Sequence, residues 1–146
     1  MNFKDKFLDF INLSLEKKQV ATSIEIGIVD KNLAHKIHQQ TEMNLEGYTI
    51  TIDNSGVLHA MNRHSNEPNQ NQISLSESDF LKLEQIIFEA DEIEEVSRYD
   101  KKALQFSKLI ENEYFTIFEV ITITGEKKKL YKKNRLVFKT MFIRKG

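Results

Sequence analysis

Residues 103–124 read ALQFSKLIENEYFTIFEVITIT: two runs suited to β-strands, Ala103 to Ile110 and Tyr114 to Thr124, joined by a short polar connection. A connection that short favours an antiparallel hairpin. Outward from it, Glu95 to Tyr99 and Leu136 to Ile143 read as two further strands, so a four-stranded antiparallel meander is expected at the C-terminal end. The Phe-rich stripe of Phe115, Phe118, Phe138 and Phe142 is expected to be the core of that sheet rather than a base-stacking platform, with Tyr99, Tyr114 and Tyr131 left as stacking partners.

Upstream the pattern turns helical. Phe3, Phe7, Phe10, Ile11 and Leu15 fall near helical spacing over residues 3 to 16. Ile24, Ile26 and Ile28 alternate through a strand from Ser23 to Val29, after which Asp30 caps a helix running through Gln40. YTITI after Gly47 is another short strand, Asn54 to Gly56 a turn, and GVLHAMNRH (56–64) a short helix with two histidines. The polar stretch SNEPNQNQ (65–72) holds the only proline and reads as an exposed loop. Ser76 with Asp79 forms a capping box ahead of LKLEQIIF, whose stripe of Phe80, Leu83, Ile86 and Ile87 predicts a helix. The fold class expected is α+β, with N-terminal helices packed on a C-terminal four-stranded antiparallel sheet.

At 146 residues and 40% hydrophobic content the chain falls in the size range of one domain, 1–146. Such a chain buries roughly two-thirds of its unfolded surface. Cysteine is absent, which excludes disulfides, a thiolate nucleophile and Cys-based zinc or iron–sulfur sites. MNFKDKFLDF mixes charges into its apolar pattern and lacks the continuous apolar stretch of a signal peptide or membrane span, so a cytoplasmic protein with no membrane partner is expected. Net charge is −1, yet residues 126–146 hold nine Lys or Arg against one acid, a sum of +8 that leaves −9 for residues 1–125. A basic segment on an acidic protein suits a polyanion such as nucleic acid, and equally a solvated charged face.

All four histidines lie between residues 35 and 64, and His59, Arg63 and His64 stand together in HAMNRH. Cleaving RNA requires a base for the 2′-hydroxyl proton, an acid for the leaving oxygen and a cation for the charge developing on phosphate. Two imidazoles and a guanidinium can supply all three. Taken alone, two histidines near a helix end read as surface or capping groups. His35 and His38 are spaced i, i+3, but no third ligand is placed near them, so no metal site is expected. The acidic run EADEIEE lacks the glycine and ligand alternation of a calcium loop and reads as a solvated loop.

Residues 45–142 as a whole resemble a family of phage-associated nucleases in the barnase, EndoU, colicin and RelE-like (BECR) group. The resemblance rests on LEGYTITIDNSGVLHAMNRH, a polar loop, ISLSESDFLKLEQIIFEADEIE, NEYFTIFEVIT and the closing KTMF at Lys139 to Phe142, with residues 1–44 as an N-terminal extension. It implies a helix-and-sheet nuclease domain with a four-stranded antiparallel sheet, and endoribonuclease activity without metal or other cofactor. Carried over by position, it implies active-site roles for His59 (general base), His64 (general acid or phosphate ligand), Arg63 (phosphate clamp), Glu119 and Thr140 (hydrogen-bond donor). Phe118 and Ile121 stand where the family usually has an acid and an arginine, Ser65 replaces a glycine, and GEKKKLYKKNR lengthens the last hairpin. Lys129, Arg135 and Lys139 are the candidates for the missing positive charge and for RNA contact. The function so implied is that of a phage or mobile-element toxin cleaving RNA to a 2′,3′-cyclic phosphate. Its substrate would be tRNA or ribosome-bound message, and its partner an antitoxin or immunity protein. The alternatives are an inactive RNA- or protein-binding module of the same fold and a phage morphogenesis accessory.

Overall fold

The strands extend well beyond a four-stranded meander. In the computed structural model, which describes residues 3–15, 23–65, 72–98, 101–123 and 133–145, the element order mixes helices and strands. The first half runs α1 (Phe3–Leu15), β1 (Ser23–Ile28), α2 (Lys31–Thr41), β2 (Thr49–Asp53) and α3 (Asn54–Ser65). The second runs β3 (Gln72–Ile73), α4 (Glu77–Phe80), α5 (Leu83–Phe88), β4 (Glu92–Arg98), β5 (Lys101–Ile110), β6 (Asn112–Ile121) and β7 (Arg135–Arg144).

Among the described residues the sheet order is β1-β2-β7-β6-β5-β4, with β3 also paired to β7. The fold class α+β holds; the expectation of four antiparallel strands does not. The expected meander is present as β4 to β7, but β2 joins β7 in parallel, through Thr49–Thr51 beside Arg135–Val137, and brings β1 with it. Hydrophobic periodicity reports local structure, whereas this pairing joins segments more than 80 residues apart.

Local expectations shifted for identifiable reasons. Asn54 to Gly56 is the first turn of α3 and not a separate turn, because the Asp53 carboxylate accepts from the Gly56 N–H at 2.7 Å. The helix after the Ser76–Asp79 capping box breaks at Leu81–Lys82 into α4 and α5. Part of the acidic run, Glu92 to Glu95, belongs to β4, since Ile93 pairs with Phe106 and is buried. The charged side chains around it suit an edge strand. Gln72, the last residue of the expected loop, forms β3 together with Ile73. Most of that loop and of GEKKKLYKKNR, with Tyr99 and Tyr131, lie outside the described residues.

Among the described residues one core cluster lies on one sheet face, where α1 to α5 each contribute to it. Its centre is aromatic: Phe80, Phe106, Phe118 and Phe138 are at most 1% exposed, and successive ring centroids lie 5.7–6.0 Å apart. Each such side chain contributes about 1.5–3 kcal/mol through burial. Phe115 and Phe142 do not join this core. They are half-buried and stack on each other at 4.9 Å on the opposite face, because strand side chains alternate and Phe115 is out of phase with Phe118. That second face carries the candidate site.

Candidate functional site

Strand β2 runs directly into helix α3, and the junction aims the helix. Asp53 accepts from the Gly56 N–H and from the Ser55 hydroxyl at 2.9 Å, capping the first turn. Asn54 donates to the Ser14 hydroxyl at 2.6 Å and so ties the junction to α1. Gly56 allows α3 to lie against β7: a Cβ there would stand 3.0 Å from the Phe138 ring and 3.1 Å from the Phe138 carbonyl. Val57 and Ala60 fill the core side of the helix, which leaves His59 exposed, where it lines the same cleft as Glu119 and Lys139.

Strands β6 and β7 bring the remaining charges there. Their ladder is regular except between Ile117 and Phe118, where Ile117 pairs with Thr140 and Phe118 with Phe138, leaving Lys139 as the extra residue of a β-bulge. The Lys139 ammonium meets the Glu119 carboxylate at 3.1 Å. Lys101, at the start of β5, approaches the other oxygen of the same carboxylate at 4.0 Å. The Glu119 side chain is only 13% exposed, so this is a partly desolvated, cation-flanked carboxylate rather than a surface ion pair.

These residues line one cleft of about 400 Å³. Glu119, Lys101 and Lys139 lie along it with His59, Asp53 and Ser55, over a floor formed by Ala103, Ile117 and Phe138. The cleft thus holds an imidazole, the Glu119 carboxylate, the Asp53 carboxylate already engaged in capping α3, two ammonium groups and an apolar base, on a scaffold of sheet and helix. Among the described residues no cluster of three or more His, Cys, Asp and Glu is arranged to hold a metal ion. His35 and His38 lie exposed on α2.

The structure therefore brings together His59, Glu119 and Lys139 from the residues expected. Arg63 and His64 fall in the last turns of α3, and their side chains lie outside the described part. Thr140 shares the second face with its partner Ile117 but is 2% exposed and not among the cleft-lining residues; its carbonyl accepts from the Thr116 hydroxyl. Arg135 opens β7 opposite Ile121, and Lys129 lies outside the described residues. Lys101 and Asp53 were not anticipated. Only the register of β5 against β6 and the α3 cap reveal them.

Away from the cleft, a second polar cluster is closed. The Tyr114 hydroxyl donates to Asp79 at 2.9 Å and accepts from Lys82 at 2.8 Å, while the other Asp79 oxygen accepts from the Ser76 backbone N–H at 2.8 Å. Burial pushes the Tyr114 hydroxyl above its ordinary pKa, and the hydrogen bond to Tyr114 holds the Lys82 ammonium above its own.

The described residues contain no helix long and apolar enough to cross a membrane. Searches among curated proteins and among solved structures returned no match. The family described as phage-Barnase-EndoU-ColicinE5/D-RelE like nuclease3 matches residues 27–146, which takes in α2, α3, every strand of the meander and all of the cleft. The chain belongs to this family of BECR-type nucleases.

Proposed function

We propose that this protein is a metal-independent endoribonuclease of the phage or mobile-element toxin type. The observation that carries the reading is the Glu119 carboxylate, held between Lys139 and Lys101 in the cleft that His59 also lines. In the proposed reaction Glu119 takes the proton of the 2′-hydroxyl and the 2′-oxygen attacks phosphorus. The bond from phosphorus to the 5′-oxygen breaks, and His59 gives that oxygen its proton. The products are a 2′,3′-cyclic phosphate and a free 5′-hydroxyl. Lys139 and Lys101 exchange part of their contact with Glu119 for the phosphate oxygens and offset the charge that develops there. The resemblance implied His59 as base. A carboxylate becomes more basic as neighbouring cations turn away, so in this reading Glu119 takes that role as its lysines turn to the phosphate, and His59 is the acid.

Two departures from the family pattern gain a physical reading. Phe118 points into the aromatic core, away from the cleft, so that position carries packing rather than chemistry. Ile121 pairs directly with Arg135, and in this reading the Arg135 side chain on the neighbouring strand supplies the charge of the usual arginine. Arg63 and His64 remain proposed phosphate contacts at the end of α3, with Thr140 a proposed donor beneath the cleft. Lys129 and Arg135 extend the proposed RNA contact. A toxin of this kind requires a neutralising antitoxin or immunity protein in the cell that makes it, and tRNA or ribosome-bound message is its proposed substrate.

The test is cleavage of total bacterial RNA in EDTA by the wild type, His59→Ala and Glu119→Gln, with RNA binding followed in parallel. Loss of cleavage in both variants with affinity retained is the expected result. Binding without cleavage by the folded wild type would replace this reading with the inactive RNA-binding module.

A further inference from the structure

The stacked pair Phe115–Phe142 lies outside the core cluster of the described residues. It lies on the same sheet face as the cleft: Phe115 pairs with Phe142, the next pair on that face is Ile117 with Thr140, and the next is Glu119 with Val137. Four residues of β6 therefore separate Phe115 from Glu119, about 13 Å along the strand. The rings are nearly parallel, at 11°, and both remain half-buried. The exposed Arg144 places its guanidinium 5.0 Å from the Phe115 ring centroid and 5.3 Å from that of Phe142. Helix α3 runs along β7 from the cleft towards this end, because it packs on β7 and also meets β3, which pairs with Ile143 and Arg144.

A stacked aromatic pair with a guanidinium over it offers what an unpaired nucleobase and its phosphate require: a π-system that tolerates any base, and a cation for the backbone. Cations also mark the path to the cleft, with Lys139 and Lys101 at one end and Arg144 at the other. Resting on the nuclease reading above, we propose that Phe115, Phe142 and Arg144 form a base-stacking subsite for a nucleotide flanking the cleaved bond, which makes the substrate a single-stranded or looped RNA. The base stacks on the rings or on the guanidinium that covers them. A duplex cannot reach the subsite with a base, since its bases are already paired and stacked.

The test uses the full chain with His59→Ala, so that RNA is bound and not consumed. A single-stranded RNA carrying 2-aminopurine at successive positions is titrated with it, beside the same RNA in a duplex. The expected result is fluorescence quenching at one or two adjacent positions in the single strand and none in the duplex. Adding Phe142→Leu should remove the quenching and weaken binding by roughly 5- to 150-fold, the range for one stacked base, whereas Phe142→Tyr should keep both. If Phe142→Leu does not fold, Arg144→Gln serves, with a salt slope expected to fall by about 0.7 for one lost phosphate contact. Quenching at no position, or quenching and affinity unchanged by these substitutions, overturns the subsite. Wild-type cleavage is read separately: an active enzyme without quenching sinks the subsite alone, and quenching by a protein that never cleaves sinks the nuclease reading alone.

Discussion

Asp79 and Glu119 are both carboxylates that meet lysine against strand β6, at Tyr114 and at Glu119 itself, on opposite faces of the sheet. Around Asp79 the ring of partners is closed: Tyr114, Lys82, the Ser76 N–H and the Ser76 hydroxyl account for both oxygens, and Asp79 is 6% exposed. Around Glu119 the partners are two half-exposed or exposed lysines, and the carboxylate opens onto a cleft shared with a histidine. A buried network that satisfies itself fixes the packing of α4 and α5 on the sheet. One whose cations can turn to an incoming anion is arranged for chemistry. The same side-chain types do both, and the distinction lies in what remains open.

Exchanging the roles experimentally should break this contrast. The largest effect is expected at the cleft: Glu119→Gln or His59→Ala should lower RNA cleavage by about 10²–10⁴-fold, the span of one general acid or base, while the denaturation midpoint stays close to that of the wild type. Next comes Gly56→Ala, whose Cβ would press on the Phe138 backbone, which cannot yield as a side-chain end can. Tilting α3 off β7 should cost about 1–3 kcal/mol and, by moving His59, up to about a hundredfold in cleavage, read by paired melting and activity curves.

Tyr114→Phe is the mirror experiment. It removes the hydroxyl between Asp79 and Lys82 and should destabilise the fold by about 1–2 kcal/mol, leaving cleavage per folded molecule unchanged. It should also alter the alkaline limb. Tyr114 and Lys82 are both raised from ordinary values of 10.0 and 10.5, so each binds its proton more tightly when folded. Their contribution is complete below about pH 10 and is lost as pH rises through the folded values. Urea melts from pH 8 to 11 should therefore fall more steeply for the wild type than for Tyr114→Phe. The smallest effect is expected outside both clusters, at Glu111, which turns the β5–β6 hairpin with φ of 63°. Glu111→Gly should stabilise by about 0.5–1 kcal/mol, the left-handed strain relieved less the entropy that glycine adds to the unfolded chain.

What could be read from residue order divides along physical lines. Helices α1 and α2, the capping box at Ser76 and the strands of the meander follow from spacing and local hydrogen bonds, and they formed where expected within a few residues. The parallel seam of β2 with β7 did not, since nothing within either strand marks its partner. Phe115 and Phe142 were placed in the core because four aromatics in two strands look alike until the register is known. The bulge at Lys139 is the clearest instance: one extra residue against β6 separates the side-chain phase of Phe138 from that of Met141, and no property of KTMF announces it. For the site, HAMNRH and FEV led to His59 and Glu119 through resemblance, while Lys101 became visible only when the hairpin set Ala103 opposite Glu119.

The chemistry of the cleft is tested most directly by the ends it leaves on RNA. A defined single-stranded RNA, incubated with the wild-type protein in EDTA and analysed by mass, should yield fragments ending in a 2′,3′-cyclic phosphate and beginning with a 5′-hydroxyl, and Glu119→Gln should yield almost none. Fragments with 5′-phosphate and 3′-hydroxyl ends, or cleavage that appears only when a divalent metal is restored, would contradict the roles assigned to Glu119 and His59.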